Sequence, residues 1–347
     1  MGIFYSVVDM TALILICMQM LKPVGNFLPR HIHAVLPERV TRNRRIIILG
    51  DVHGCIDEFN HILQLCSYEA DSDILLSVGD LVNKGPSSLS VLDRVQRFGV
   101  VAVRGNHEEI ALAAWREVRR GMPPPKMRYA WVKDLDDGLV STLNALPFTL
   151  RLPSYNVTVV HAGLIPGIKV EDQNPSNLLL MRDILPVGGG NDVPEEESGD
   201  ESNEESEAEV VVPNRADAEL MEMSTMFRGS RRHHPKGRPW ASVWKGSPDG
   251  GHVFFGHDAA RGLQAEPWAT GLDGGCVYEG TLYASLLPPL NAQGETCTCP
   301  NVPPNATKLV LGTGLPAWLV SIPAGKVYSS PKRRAPRAVA ESDILNS

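Results

Sequence analysis

Residues 46–49 read Ile-Ile-Ile-Leu, and the chain then passes through Gly50, Asp51, Val52, His53 and Gly54. A half-exposed strand alternates apolar and polar residues, whereas an unbroken apolar run needs cover on both faces, as a parallel sheet between other layers provides. The two glycines free the backbone to turn sharply where the strand stops, leaving a carboxylate and an imidazole at its tip. That C-terminal edge is where open α/β sheets bind ligands. A single Asp-x-His turn serves equally as a capping device or as two metal ligands, so the choice falls to the rest of the chain.

The pattern then recurs. Residues 45–49, 74–78 and 100–103 read as strands separated by two amphipathic stretches. The first stretch carries Ile56, Phe59, Ile62, Leu63 and Cys66; the second begins at Pro86, which suits a first helical turn, and carries Leu89, Leu92, Val95 and Phe98. Two right-handed βαβ units make the three strands parallel, with their C-terminal ends on one edge. Each end bears a polar cluster, at residues 50–54, 79–86 and 105–108. After helical stretches at 108–119 and 139–146, residues 148–164 read as a hairpin whose second strand ends at His161, and residues 253–258 form a strand ending at His257. A last hairpin is expected through Leu287.

With 43% hydrophobic and 21% charged residues, the 347-residue chain can build a sizeable core. A net charge of -7 argues against a general nucleic-acid binder, and no specific DNA binding is expected. The six cysteines do not form a disulfide framework, only Cys297 and Cys299 being close in sequence. Residues 4–21 are mostly apolar but contain Asp9 and Gln19 and barely reach the roughly 20 residues of a membrane span, so they read equally as an anchor or as a hydrophobic segment. Residues 187–215 are glycine-rich, then acidic, and are expected to be a disordered loop. Residues 228–238 reverse the charge, a run that is either a solvated surface or an attractor of polyanions.

Collected from the strand tips, Asp51, His53, Asp80, Asn106, His161 and His257 are all oxygen or imidazole donors. Such donors suit two borderline divalent ions, Zn or Mn foremost, with Fe, Mg and Co also fitting. In the expected grouping Asp80 bridges, Asp51 and His53 complete one ion, and Asn106, His161 and His257 complete the other, the ions lying roughly 3.5–4 Å apart. A water held between them ionises near neutral pH and attacks phosphorus in line. His107 is the candidate general acid, and Lys84 and Arg104 are candidate phosphate clamps. Singly, Asp80 and Asn106 read as turn caps and any histidine as a core residue, as His61 and His252 do; six at successive tips do not.

The motifs at 50–54, Gly79-Asp80, Gly105-Asn106-His107-Glu108, His161-Ala162-Gly163 and Gly256-His257, in this order, resemble the signature set of the calcineurin-like metallophosphoesterases of the phosphoprotein-phosphatase superfamily. The stretches 79–86 and 256–264 are similar to ApaH-like phosphatases, including fungal zinc-dependent endopolyphosphatases. The resemblance implies an α/β fold, the four-layer α/β/β/α sandwich of that family, with a di-metal site at the strand C-terminal ends. It divides the chain into an N-terminal segment and linker at 1–43, a phosphoesterase domain at 44–290 and a Pro/basic-rich tail at 291–347 without catalytic part. It also implies a vacuolar location, while Lys22 and Arg30 behind the apolar segment point to the cytoplasm.

One departure bears on the substrate. Typical Ser/Thr phosphatases carry Asp-Arg where this chain has Asn83-Lys84, and that Asp backs the general-acid histidine. Asn83 can orient His107 but cannot stabilise its charged form. A less readily protonated acid suits a weakly basic leaving group, so a phosphoanhydride is expected: inorganic polyphosphate first, with dinucleoside polyphosphates, RNA caps and phosphoproteins as rivals. Lys84 in place of Arg supplies a point charge suited to a varied polyanion. A non-catalytic scaffold is the contrasting reading, and the intact ligand set argues against it.

Overall fold

The computed structural model describes residues 31–186, 227–246 and 250–330; the segment 4–21 and the insertion 187–215 lie outside them. In chain order the strands are β1 (His33–Val35), β2 (Arg45–Leu49), β3 (Asp73–Ser77), β4 (Val101–Ala102), β5 (Thr149–Leu152), β6 (Val157–Val160), β7 (Asp183–Pro186) and β8 (Phe227–Ser230). They continue with β9 (Arg238–Pro239), β10 (His252–Phe255), β11 (Gln264–Glu266), β12 (Ala269–Gly271), β13 (Asp273–Gly274), β14 (Thr281–Leu287), β15 (Thr307–Val310) and β16 (Pro316–Pro323). The principal helices are α1 (Ile56–Leu65), α2 (Ser88–Arg97), α3 (Asn106–Arg119), α4 (Asp137–Ala145) and α5 (Pro175–Leu180).

One sheet runs β15-β16-β14-β2-β3-β4 and a second runs β1-β5-β6-β10-β12-β11, beside a small sheet β8-β7-β9. The unbroken run in β2 follows from its position between two layers. Ile46 and Ile48 join the core between the sheets with Leu150, Val157, Val159 and Phe254, while Ile47 and Leu49 join the core under α1 and α2 with Phe59, Ile62, Val91 and Leu92. At roughly 1.5–3 kcal/mol for each fully buried Ile or Leu, both faces of this strand hold the layers together. Beyond the second sheet, Val160, Val253 and Phe255 pack with Leu178 and Leu179 of α5 and with Trp240 and Trp244. The layering is therefore α/β/β/α, as the resemblance implied.

β2, β3 and β4 are parallel and β5–β6 is an antiparallel hairpin, both as read from the sequence. Two expected boundaries are corrected. The linker 1–43 contributes β1, which pairs in parallel with β5, and the tail 291–347 contributes β16, which extends the first sheet along β14. β16 alternates: Ala317 and Leu319 enter the core between the sheets, and Val320 and Ile322 face the other way. His252 is buried and bonded to Thr270 Oγ1 at 3.0 Å, as a core histidine should be, but His61 lies exposed on α1. Among the described residues no helix is long and apolar enough to cross a membrane.

Candidate metal centre

The C-terminal ends of β2, β3 and β4 in one sheet and of β6 and β10 in the other meet in one place. All six expected ligands are gathered there and buried. Asn106 Oδ1 lies 3.0 Å from His161 Nε2 and 3.1 Å from His257 Nδ1, and His161 Nε2 is 3.4 Å from Asp80 Oδ1. On the other side His53 Nε2 is 3.5 Å from Asp80 Oδ2. Asp80 thus sits between two donor sets, as a bridging carboxylate must. Among the His, Cys, Asp and Glu side chains two tight groups form here, Asp51 with Asp80 and His161, and His53 with Asp80 and His107, each with donor atoms within 4.8 Å of one another.

The backbone reaches these positions at a cost. His53 (φ 47°), Asp80 (51°), Asn83 (68°), Lys84 (65°) and His257 (69°) are all left-handed, where a residue with a Cβ is disfavoured by about 1–3 kcal/mol. Two glycines answer a different need. A Cβ on Gly256 would stand 2.0 Å from Asp51 Oδ1 and one on Gly105 would stand 2.2 Å from Asp80 Oδ1. The close approach of backbone to both carboxylates therefore excludes any side chain there.

The histidines are oriented from behind. His53 Nδ1 faces Val82 O at 3.1 Å, His161 Nδ1 faces Val78 O at 2.9 Å, and His257 Nε2 faces Leu180 O at 3.1 Å. Burial, then Lys84, holds His53 well below its usual value; burial, then Arg182, does so for His257; and burial brings His161 down to about 4. These imidazoles are therefore neutral and able to donate a lone pair. Burial, then Asp273, then Asp80, drives Asp51 well above the carboxylate range. Asp51 Oδ1 has no hydrogen-bond partner among the described residues. Crowded carboxylates, an orphaned buried oxygen and neutral imidazoles together suit cations, so the residues fit divalent metals.

The structure separates the remaining site candidates. His107 stands edge-on to the His53 ring with centroids 4.8 Å apart, and its Nδ1 has no partner among the described residues. Asn83 donates to the His107 carbonyl at 2.8 Å and accepts from Trp131 Nε1 at 3.0 Å, so it fixes the His107 backbone and not the ring. Lys84 Nζ is 3.2 Å from His53 Nε2 and lies over the Tyr278 ring. Arg104 is not a phosphate clamp: it is fully buried, paired with Glu109, bonded to Asn144 O at 2.6 Å and stacked on Phe148. The step from β4 into α3 turns it toward the helix layer.

Three contributors escaped the sequence reading. Asp273, just past β12, crowds Asp51, but the Ala-Thr-Gly strand before it gave no apolar signal. Glu108 accepts from the backbone N–H of Asp80, Leu81 and Gly105 at 2.8–2.9 Å, tying two strand tips together; its place three residues after the N-cap Gly105 was a readable capping signal. Trp131 had no local signal at all.

Residues 44–265 match the model of the calcineurin-like phosphoesterase family. The chain belongs to that family. A relative in Nitrosococcus oceani called symmetrical bis(5'-nucleosyl)-tetraphosphatase is 31% identical over 264 residues, covering 70% of this chain and 92% of the relative. A protein of the same name in Aromatoleum aromaticum is 30% identical, with 70% and 93% covered. A solved structure described as a putative diadenosine tetraphosphatase superposes with a TM-score of 0.58 at 29% identity, covering 85% of this chain and 98% of that one. This calcineurin-like phosphoesterase is accordingly a metal-dependent hydrolase of the ApaH-like group, and the strand-tip donors are the candidates for holding its divalent ions.

Proposed function

We propose that this phosphoesterase hydrolyses phosphoanhydride bonds of a polyphosphorylated anion. The observation that carries the reading is the His107 ring. Among the described residues its Nδ1 has no hydrogen-bond partner, and Asn83 is spent on the His107 carbonyl and Trp131. An imidazole without such support is less readily protonated and so seldom carries the proton that an alkoxide needs, whereas a leaving phosphate or nucleotide needs little protonation.

Asp51, His53, Asp80, Asn106, His161 and His257 hold the two ions, which when bound activate water and neutralise charge on the phosphoryl oxygens. The chain's own groups do the rest. His107 faces the leaving oxygen. Lys84, beside His53, and Arg182, whose guanidinium is 3.5 Å from the His257 carbonyl, supply the cations that Arg104 does not. The exposed Arg231, Arg232, Lys236 and Arg238 form a basic rim on the small sheet, linked to the centre through Arg182 Nη1 and Arg231 O at 2.7 Å. A chain of phosphates longer than the catalytic pocket would run along that rim, which favours inorganic polyphosphate.

A dinucleoside tetraphosphate is the second reading, favoured by the names of the relatives and by half-buried Trp131 and Tyr278 next to Asn83 and Lys84, where a base can stack. The test is one panel on the full chain: long-chain polyphosphate, a dinucleoside tetraphosphate, capped RNA and a phosphoserine peptide. Anhydrides are expected to turn over at least tenfold faster than the peptide. Equal or faster release from phosphoserine would sink the phosphoanhydride reading.

A further inference from the structure

Behind the catalytic centre, on the helix side of the first sheet, lies a second group of ligand-type side chains with a different chemistry. Cys55 and Glu58 are three residues apart at the start of α1 and so share one face. Cys276, in the turn between β13 and β14, completes the group, and the three donor atoms lie within 4.8 Å of one another. Cys55 Sγ faces the His53 carbonyl at 3.9 Å, both cysteines are free thiols, and all three residues are buried.

Glu58 is the anomaly. It is 4% exposed, accepts from Gly325 N at 2.9 Å and from Tyr328 Oη at 2.9 and 3.1 Å, yet no cation among the described residues pairs with it. Buried carboxylates are paired with a cation or bound to a metal. Tetrahedral zinc with Zn–S of about 2.3 Å holds its two sulfurs about 3.8 Å apart, within the span of this group after a small contraction. A carboxylate with neutral hydrogen bonds keeps lone pairs for such an ion, and the Tyr328 hydroxyl at its edge leaves a fourth position for itself or water.

We infer that Cys55, Glu58 and Cys276 form a third, structural metal site for a thiophilic divalent ion such as zinc. Cys55 follows the ligand His53 by two residues and Cys276 follows Asp273 by three. An ion there would pin the β2 tip turn to the turn behind Asp273, fixing two walls of the centre from behind. It would take no part in hydrolysis.

Cobalt loading of the full chain tests this, since the catalytic donors are oxygen and nitrogen only and give no thiolate-to-cobalt charge-transfer band. The expected result is three equivalents of cobalt and such a band in the wild type. Cys276→Ser should lose the band and one equivalent, Glu58→Gln should retain the thiolates but bind the third ion at least tenfold more weakly, and Cys66→Ser should keep the band. Two equivalents with no band would overturn the site, as would a band that survives Cys276→Ser. A loss of two titratable thiols without a band would also overturn it, by showing a disulfide instead.

Discussion

Gly256→Ala puts a single methyl group where the structure leaves no room. The new Cβ would stand 2.0 Å from Asp51 Oδ1 and 2.8 Å from Val78 Cγ2. Ordinary contact begins near 3.4 Å, so the carboxylate must withdraw by about 1.4 Å, whereas metal–ligand distances tolerate about 0.2 Å. Asp51 cannot retreat freely, because it is buried, accepts from His257 N at 3.1 Å and is crowded by Asp273. The expected outcome is loss of one of the two catalytic ions and at least a 10²-fold fall in kcat, the size that a misplacement of about 1 Å brings. Overpacking adds about 1–3 kcal/mol of destabilisation. Metal content by mass spectrometry and turnover of a dinucleoside tetraphosphate read both, with Gly138→Ala as control, since its Cβ, on α4, meets the Asp136 carboxylate at 3.2 Å and Gln96 Nε2 at 4.0 Å and no ligand of the centre. An unaltered metal content and rate in Gly256→Ala would refute the assignment of Asp51 as a ligand.

Arg104→Met should lower stability by about 3 kcal/mol, because it breaks a buried pair with Glu109, while KM for a phosphoanhydride stays within about twofold; a tenfold rise in KM at unchanged Tm would return Arg104 to the substrate. Chelation should abolish hydrolysis and lower Tm, since the crowded Asp51, Asp80 and Asp273 lose their counter-charge; recovery on adding Zn or Mn checks that the loss is of metal. Burial holds His252 at about 4, so between pH 6.5 and about 4 the unfolded chain binds a proton that the fold does not, and stability falls as pH drops through that window. In His252→Asn the loss between pH 7 and 4.5 should be smaller by on the order of 2–3 kcal/mol, read by denaturant unfolding at both pH values; an identical loss would show that His252 does not titrate on unfolding.

The parts of the site that could be read from the sequence are those where a local rule and a global one coincide. Ile46 to Leu49 announced a doubly covered strand, and Asp51 and His53 followed at its end. His161 and His257 were legible for the same reason, each directly following four buried strand residues or one glycine after them. Asp273 was not, because β12 is three small residues whose burial comes from neighbours and not from their own hydrophobicity. Arg104 was misjudged because sequence adjacency to Asn106 says nothing about which way a side chain leaves a strand end; the register sends it under α4 to Asn144. Likewise β1 and β16 exist because β5 and β14 offer them edges, a condition visible only once the sheets are assembled.

The centre also asks more of the fold than it returns. Five left-handed residues at about 1–3 kcal/mol each, with buried carboxylates and neutral buried histidines, form a strongly destabilising cluster at the meeting of the two sheets. What holds it is the flanking structure: Glu108 ties the β3 and β4 tips through their backbone N–H groups, and carbonyls of Val78, Val82 and Leu180 fix the three imidazoles. Residues held this way need little rearrangement to accept a cation, so binding energy goes into relieving charge crowding. Ions that bind only the folded chain then stabilise it in proportion to their affinity, and metal loading and fold stability in this phosphoesterase rise and fall together.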